Sequence, residues 1–131
     1  MKTHPDTPRV VRNRTTREYF FREGCHITEW LNTADDEDLS IARARVEPGV
    51  TTRLHSLAGI TERYVILEGR GQVRVGQLPE AEVEPGDVVV IPPDQPQQIT
   101  NSGRDDLIFL AICTPRFQPE AYVDLEPESS Q

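Results

Sequence analysis

The sequence has little of three things that identify whole classes of protein: cysteine, long apolar runs and positive charge. Its two cysteines, Cys25 and Cys113, are too few for a disulfide framework, so we interpret them as reduced thiols in strands or core. No run of about 18 apolar residues exists, which excludes a membrane-spanning helix. The polar N-terminal residues lack the apolar segment of a signal peptide. We therefore expect a cytoplasmic protein with no membrane partner.

Positive charge is scarce and unevenly placed. Fourteen Lys and Arg stand against 22 Asp and Glu, a formal net charge of −8. Residues 1–17 contain five basic residues and one acidic residue, a balance of +4, so the remaining sequence sums to −12. This pattern lacks the clustered positive charge that nucleic-acid binding needs. We expect no nucleic-acid partner, a loose basic arm over 1–17 and an acidic tail over 119–131.

Proline and glycine, by contrast, are frequent between the two ends. Eleven Pro and eight Gly divide the chain into short β-prone runs that recur every 8–12 residues. This spacing is typical of an all-β sandwich or barrel. We expect one barrel domain over 18–118, with single helical turns at most at 33–39 and 119–125. The expected strands cover 19–31 (broken at Glu23-Gly24), 39–46, 51–56, 63–67, 71–75, 81–83, 88–91, 97–100 and 107–113.

One stretch of the sequence carries a pair of residues with metal-binding chemistry. Residues 49–69 read GVTTRLHSLAGITERYVILEG and contain His55 and, seven residues later, Glu62. If the Ala-Gly-Ile-Thr between them forms a turn, the two side chains can lie opposite each other on an antiparallel pair. Imidazole and carboxylate suit a divalent metal. Taken alone, the pair is better explained by a surface His–Glu hydrogen bond.

The spacing of the surrounding residues resembles the two motifs of the cupin family. Gly49, His55, Glu62 and Gly69 stand where the first motif has Gly, His, Glu and Gly. The positions of the second motif are occupied, at the same spacings, by Gly86, Pro92, Asp94, Gln97 and Asn101. The resemblance covers roughly residues 39–115. It implies a double-stranded β-helix barrel of jelly-roll type, commonly a homodimer, whose motif residues hold a divalent metal inside the barrel.

Two departures from the motifs affect the implied metal site. Leu57 occupies the position of the second motif histidine and cannot ligate, and Gln97 occupies that of the later histidine. An amide oxygen is a poorer ligand than imidazole for Zn²⁺ or Fe²⁺. The remaining set, His55, Glu62 and Gln97, could supply three ligands on one face of the coordination octahedron of an Fe, Mn, Ni or Zn ion. The same residues could equally form the floor of a metal-free pocket.

Other side chains are weighed against this set. Tyr64 shares a face with Glu62 by strand alternation. It could lie behind the ligands and hydrogen-bond to them, or it could equally fill the barrel with its hydroxyl satisfied. Of the other histidines, His4 lies in the basic arm, and His26 is expected to be a partly exposed strand residue, opposite Cys25. A further pair, Arg43 and Arg45, is expected to point outward, because unpaired buried arginine is costly.

Two functions therefore remain open. The first is a metal-dependent enzyme of dioxygenase, isomerase, cyclase or lyase type that acts on a small organic substrate. The second is a metal-free module that binds a small ligand as a sensor or carrier. The fold cannot decide between them, because one fold hosts many functions.

Overall fold

The fold consists of two antiparallel β-sheets, as the sequence predicts. The computed structural model describes residues 7–126. Its strands are β1 Tyr19–Phe21, β2 Cys25–Leu31, β3 Ser40–Val46, β4 His55–Leu57, β5 Thr61–Glu68, β6 Gly71–Val75, β7 Ala81–Val83, β8 Val88–Ile91, β9 Gln97–Asn101, β10 Leu107–Thr114 and β11 Tyr122–Asp124, with a 3-10 helix at Pro119–Ala121. One sheet has the order β1-β2-β3-β10-β5-β8 and the other β11-β4-β9-β6-β7.

Glycines end several strands where the backbone must turn sharply. Gly49 and Gly86 follow prolines and have φ values of 80° and 98°, a region that only glycine enters without strain. At Gly69, between β5 and β6, an added Cβ would lie 2.6 Å from the carbonyl oxygen of Asp106. A side chain at this position would therefore clash with backbone, which explains the glycine in the Glu68-Gly69 turn.

The core lies between the two sheets and follows the alternation of their strands. On β5, Glu62, Tyr64 and Ile66 are buried, while Arg63 and Val65 between them are less so. The largest inward group is an aromatic pair, Tyr64 and Phe109, whose ring centroids are 4.4 Å apart. Removing such a side chain from water contributes about 1.5–3 kcal/mol to folding. The same alternation therefore places the polar Glu62 in the core.

The two faces of β3 differ in the way the sequence predicts. Ala42 and Ala44 point inward, and Ala44 is only 2% exposed. Arg45 points outward, and its guanidinium contacts Glu18 at 2.8 Å and Asp106 at 3.3 Å. The prediction that the arginines of this strand lie outside the barrel is confirmed.

The chain ends differ from the sequence prediction in one respect. Tyr122–Asp124, inside the segment predicted as an acidic tail, forms β11 and pairs with β4. The carboxylate of Asp124 binds Arg53 at 2.9 Å, so acidic residues fix this segment to the barrel instead of keeping it apart. Residues 1–6 of the predicted arm and 127–131 of the predicted tail lie outside the described residues. Between residues 7 and 126, no helix is long and apolar enough to cross a membrane.

Candidate functional site

The two sheets each contribute part of the predicted site. His55 on β4 and Gln97 on β9 are direct partners across the five-stranded sheet. From the six-stranded sheet, Tyr64 on β5 donates its hydroxyl hydrogen to Oε1 of Gln97. Glu62 lies two residues before Tyr64 on the same face, close enough for the Gln97 amide to lower its carboxyl pKa. The structure thus brings Gln97 together with the other predicted residues.

The ring of His55 is held in one orientation. Its Nδ1 lies 2.7 Å from the carbonyl oxygen of Arg53. A carbonyl only accepts, so Nδ1 carries the hydrogen, and Nε2 is the atom that can take a proton or a metal. The ring also stacks on Tyr122, with centroids 4.9 Å apart. A hydrogen bond of the first kind fixes the tautomer of histidines that ligate metals, and the stacking restricts the orientation of the ring.

Of the three predicted ligands, Glu62 is the one with a side-chain atom that lacks a hydrogen-bond partner. Its side chain is buried, and Oε1 has no hydrogen-bond partner. Burial, followed by the negative charge of Glu23, raises the pKa of the Glu62 carboxyl from 4.5 to about 8, against the opposing effect of the Gln97 amide. A buried carboxylate oxygen without a donor is costly, so this atom needs a proton, a cation or a ligand donor.

Glu23 is a site residue that the sequence analysis missed. It lies in the turn between β1 and β2, and its Oε1 is 3.4 Å from Nε2 of His55. Its other oxygen accepts a hydrogen bond from the thiol of Cys25 at 2.9 Å. In the sequence, Glu23-Gly24 indicates only a turn between two strands. Nothing local in the sequence indicates that this carboxylate reaches His55 on the other sheet.

The departures from the motifs have clear structural consequences. Leu57, in place of a histidine, is 3% exposed and packs in a small apolar cluster with Ile60, Cys113 and Tyr122. This position is therefore filled by apolar packing, which offers nothing to a metal. Asp94, in place of a glycine, adopts a φ of 68°. Its carboxylate accepts the backbone N–H of Gly59 at 3.1 Å, a contact that supports the unusual backbone.

A cavity opens beside Glu62 on the side of the six-stranded sheet. Sixteen residues line it, all from β1, β2, β3, β5, β10 and the connections next to these strands. Glu62, Tyr64 and Glu23 are among them, whereas His55 and Gln97 are not. The predicted set is therefore split: one member borders the cavity, and two stand behind it on the other sheet.

The structure gives one observation against a site for a divalent cation and one in its favour. Across residues 7–126, no three His, Cys, Asp or Glu side chains are grouped so that they could hold a metal ion. The predicted set takes its third ligand from the amide of Gln97. It also includes Oε1 of Glu62, the buried acceptor without a partner, whose deficit a cation would relieve. On that observation, His55, Glu62 and Gln97 fit a weakly bound cation.

The other side chains that the sequence singles out take no part in the predicted set of ligands. His26 binds Glu47 at 2.7 Å and is a partly exposed strand residue, as predicted. The thiols of Cys25 and Cys113 are free and buried, and burial raises the pKa of each. A thiol with a raised pKa is a poor nucleophile. His4 lies outside the described residues.

Comparison with known proteins identifies the family. The model of the cupin domain family matches residues 42–113. An uncharacterized protein of Methanocaldococcus jannaschii is 35% identical over 106 residues, which cover 79% of this chain and 84% of that protein. A glucose-6-phosphate isomerase of Pyrococcus horikoshii is 32% identical over 114 residues, covering 75% of this chain but 60% of the isomerase.

A solved structure agrees on the fold. The polyketide cyclase RemF from Streptomyces resistomycificus superposes with a TM-score of 0.75 at 19% identity, covering 93% of this chain and 88% of the cyclase. At that identity the likeness shows the fold alone, which is a double-stranded β-helix barrel. The chain belongs to the cupin family.

Proposed function

We propose that this cupin is an enzyme that acts on a small organic molecule with the help of a divalent cation, Fe, Mn, Ni or Zn, held by His55, Glu62 and Gln97. The observation that supports the proposal is the buried Oε1 of Glu62, which has no hydrogen-bond partner although it borders a cavity. A cation beside this oxygen would offset the cost of burying it.

The residues of the chain prepare these three ligands. The carbonyl of Arg53 fixes the hydrogen of His55 on Nδ1 and leaves Nε2 for the cation. The hydroxyl of Tyr64 takes one lone pair of the Gln97 amide oxygen, and the second remains for ligation. Burial raises the pKa of Tyr64 well above its usual value, so this hydroxyl stays a donor. When bound, a cation of this kind acts as a Lewis acid that polarises a substrate oxygen.

The second candidate function is a metal-free module that binds a small ligand. It is favoured by the pKa of about 8 at Glu62, which keeps this carboxyl protonated and neutral near neutral pH. A neutral carboxylic acid needs no cation to be tolerated in the core. It can instead donate a hydrogen bond to a ligand in the cavity, and the barrel would then serve as a sensor or carrier.

Metal content separates the two functions. We expect protein purified without added metal to contain cation near stoichiometry by elemental analysis, and to lose it in His55→Ala and Glu62→Gln. Adding Mn²⁺, Fe²⁺, Ni²⁺ or Zn²⁺ to chelator-treated protein at about 100 times Kd should raise Tm by roughly 5–10 °C. In Gln97→His, an imidazole replaces the amide and should tighten binding.

The control for this experiment is Glu29→Gln, which removes a carboxylate that lines the same cavity and contacts the Tyr19 hydroxyl at 3.3 Å. It should retain the metal of the wild type. Wild-type protein that contains no metal and shows no Tm response to the four cations would contradict the proposed enzyme and favour the metal-free module.

We also propose that the chain forms a homodimer. The proposal is supported by Val88 and Val90 on β8, the edge strand of the six-stranded sheet, which are 56% and 58% exposed. Exposed apolar side chains on an unpaired edge are typical of a surface that is covered in the assembled protein. A monomeric mass by light scattering would contradict the dimer.

A further inference from the structure

The cavity beside Glu62 carries charge of only one sign. Three of its lining residues are carboxylates, Glu23, Glu29 and Glu62. Among the residues that the structure describes, no Lys, Arg or His lines it. The arginines of β3, the neighbouring strand, point to the other face, where Arg45 binds Glu18 and Asp106. An anion that enters the cavity would therefore meet the carboxylates of Glu23 and Glu29, with no basic side chain in the lining to offset them.

The cavity is also apolar and flat along one wall. Ala42 on β3 is the direct cross-strand partner of Ala111 on β10, and both side chains line the cavity. Ala44 extends this wall, and its partner is Phe109. Three adjacent alanines leave a smooth apolar surface on which a planar group can lie.

Burial distinguishes an inner end from a mouth. Glu62, Tyr64 and Phe109 at the inner end are 8%, 2% and 2% exposed, whereas Tyr19 is 43% exposed. The cavity has a volume of about 60 Å³. This volume admits a small molecule, and the partly exposed Phe21 and Phe117 offer apolar contacts to its body.

We infer that this cavity takes an uncharged or cationic molecule with a planar apolar body and a hydroxyl or amino group directed at Glu62 and Glu23, and that it rejects anions. The inference rests on the proposed function in that a small molecule occupies this cavity. It concerns the cavity without a bound cation, because a cation at Glu62 would offset the charge of the carboxylates. A hydroxyl or ammonium supplies the hydrogen-bond donor that Oε1 of Glu62 lacks. A phosphate or carboxylate would enter a desolvated site with like charges around it.

The inference separates this chain from two of its relatives by substrate charge. The isomerases of Pyrococcus that it resembles are named for glucose 6-phosphate, a dianionic sugar with a polar body. This cavity has no basic residue for the phosphate. Sugar phosphates are thus disfavoured by the charge of the lining.

A matched set of probes tests the inference: benzyl alcohol, benzylamine and benzoate share one ring and differ in charge. Binding is measured by calorimetry and by NMR shifts on wild-type protein in chelator at neutral pH. We expect the alcohol and the amine to bind and benzoate to bind at least about tenfold more weakly. Glucose 6-phosphate should not bind at any concentration reached.

One variant identifies the charge responsible. Glu23→Gln removes a carboxylate without changing its shape and should narrow the difference between benzylamine and benzoate. Glu82→Gln, whose exposed carboxylate binds Arg70 away from the cavity, is the matched control and should leave the difference unchanged. Circular dichroism checks that both variants fold. The comparison of the probes on wild-type protein does not depend on either variant.

Three outcomes would overturn the inference: benzoate binding as tightly as the other probes, glucose 6-phosphate binding, or no probe binding. Because chelator is present throughout, these results do not depend on a metal. A protein without metal can show the charge preference, and a protein with metal can lack it, so failure here is distinct from failure of the proposed enzyme.

Discussion

The three predicted ligands differ in their hydrogen bonding between the two sheets of this barrel. On the five-stranded sheet, His55 and Gln97 are direct strand partners, and each has a hydrogen-bond partner, the Arg53 carbonyl and the Tyr64 hydroxyl. On the six-stranded sheet, Glu62 has an oxygen without any partner and stands at the edge of a cavity that only this sheet lines. The two ligands on the five-stranded sheet are thus hydrogen-bonded, whereas Glu62 leaves an acceptor without a partner beside the cavity.

This difference indicates where ligand chemistry is located. Full satisfaction of buried polar groups rigidifies a core, and a buried group left without a partner is rare enough to need an explanation. Here the explanation offered is a ligand, either a cation between the sheets or a small molecule in the cavity. The five-stranded sheet then supplies a fixed frame, and the six-stranded sheet supplies the space.

The largest expected effect comes from removing the main packing group of the cavity wall. Phe109→Ala should lower the free energy of unfolding by about 3–5 kcal/mol, because it deletes a side chain that is 2% exposed and packs on Tyr64. Chemical denaturation measures the loss. Val123→Ala, at a position 39% exposed on β11, is the control and should change stability by less than about 0.5 kcal/mol. A loss below 1 kcal/mol in Phe109→Ala would show that this wall is not packed as described.

The next effect is a pH dependence of the free energy of unfolding that depends on Glu62. The folded carboxyl of Glu62 has its pKa raised from 4.5 to about 8, so the native state holds this proton more tightly than the unfolded chain does. The stability contributed by the proton is fully present below about pH 4.5 and is lost as the pH rises through about 8. Glu62→Gln, measured by denaturation in chelator, should lose this decline, and Glu29→Gln should retain it.

A cation would reverse this pH dependence. Metal binding requires the carboxylate, so the stabilisation that added Mn²⁺ gives to the wild type should grow as the pH rises. Equal pH profiles for the wild type and Glu62→Gln would contradict the raised pKa and with it the neutral carboxyl of the metal-free module.

The sequence predicted the framework better than the site. Turns at Pro48-Gly49, Glu68-Gly69 and Pro85-Gly86 punctuate strands whose residue types already favour β structure, so most strand positions are correct within a few residues. These are local signals. The family resemblance likewise depends on spacings along the chain. It identified the fold, and it placed His55, Glu62 and Gln97 inside the barrel, where all three are buried.

Contacts between distant segments were not predictable in the same way. Glu23 reaches His55 only because the β1–β2 turn bends over the barrel, and no spacing encodes that approach. The pairing of β11 with β4 joins residues 65 or more positions apart, as Tyr122 with Leu57. The position of the cavity on one sheet depends on small residues at positions 42, 44 and 111. The alternation of apolar and polar residues in the sequence predicts only that these positions are apolar.

The smallest expected effect concerns the connection that crosses from one sheet to the other. Asp94 lies between β8 and β9, three residues before Gln97, with a φ of 68° and a hydrogen bond from the Gly59 N–H at 3.1 Å. Asp94→Ala should cost about 1–2 kcal/mol, because alanine is strained at positive φ and cannot accept that hydrogen bond. Asp94→Gly loses only the hydrogen bond and should cost less.

Asp94→Asn provides the matched control, because asparagine tolerates positive φ and keeps an acceptor oxygen. Its unfolding free energy should equal that of the wild type. The order Asn, Gly, Ala from most to least stable would separate backbone strain from hydrogen bonding at this turn. If the alanine variant were as stable as the asparagine variant, neither backbone strain nor the hydrogen bond would contribute to the stability of this turn. Asp94 would then not be the residue that positions Gln97 opposite His55.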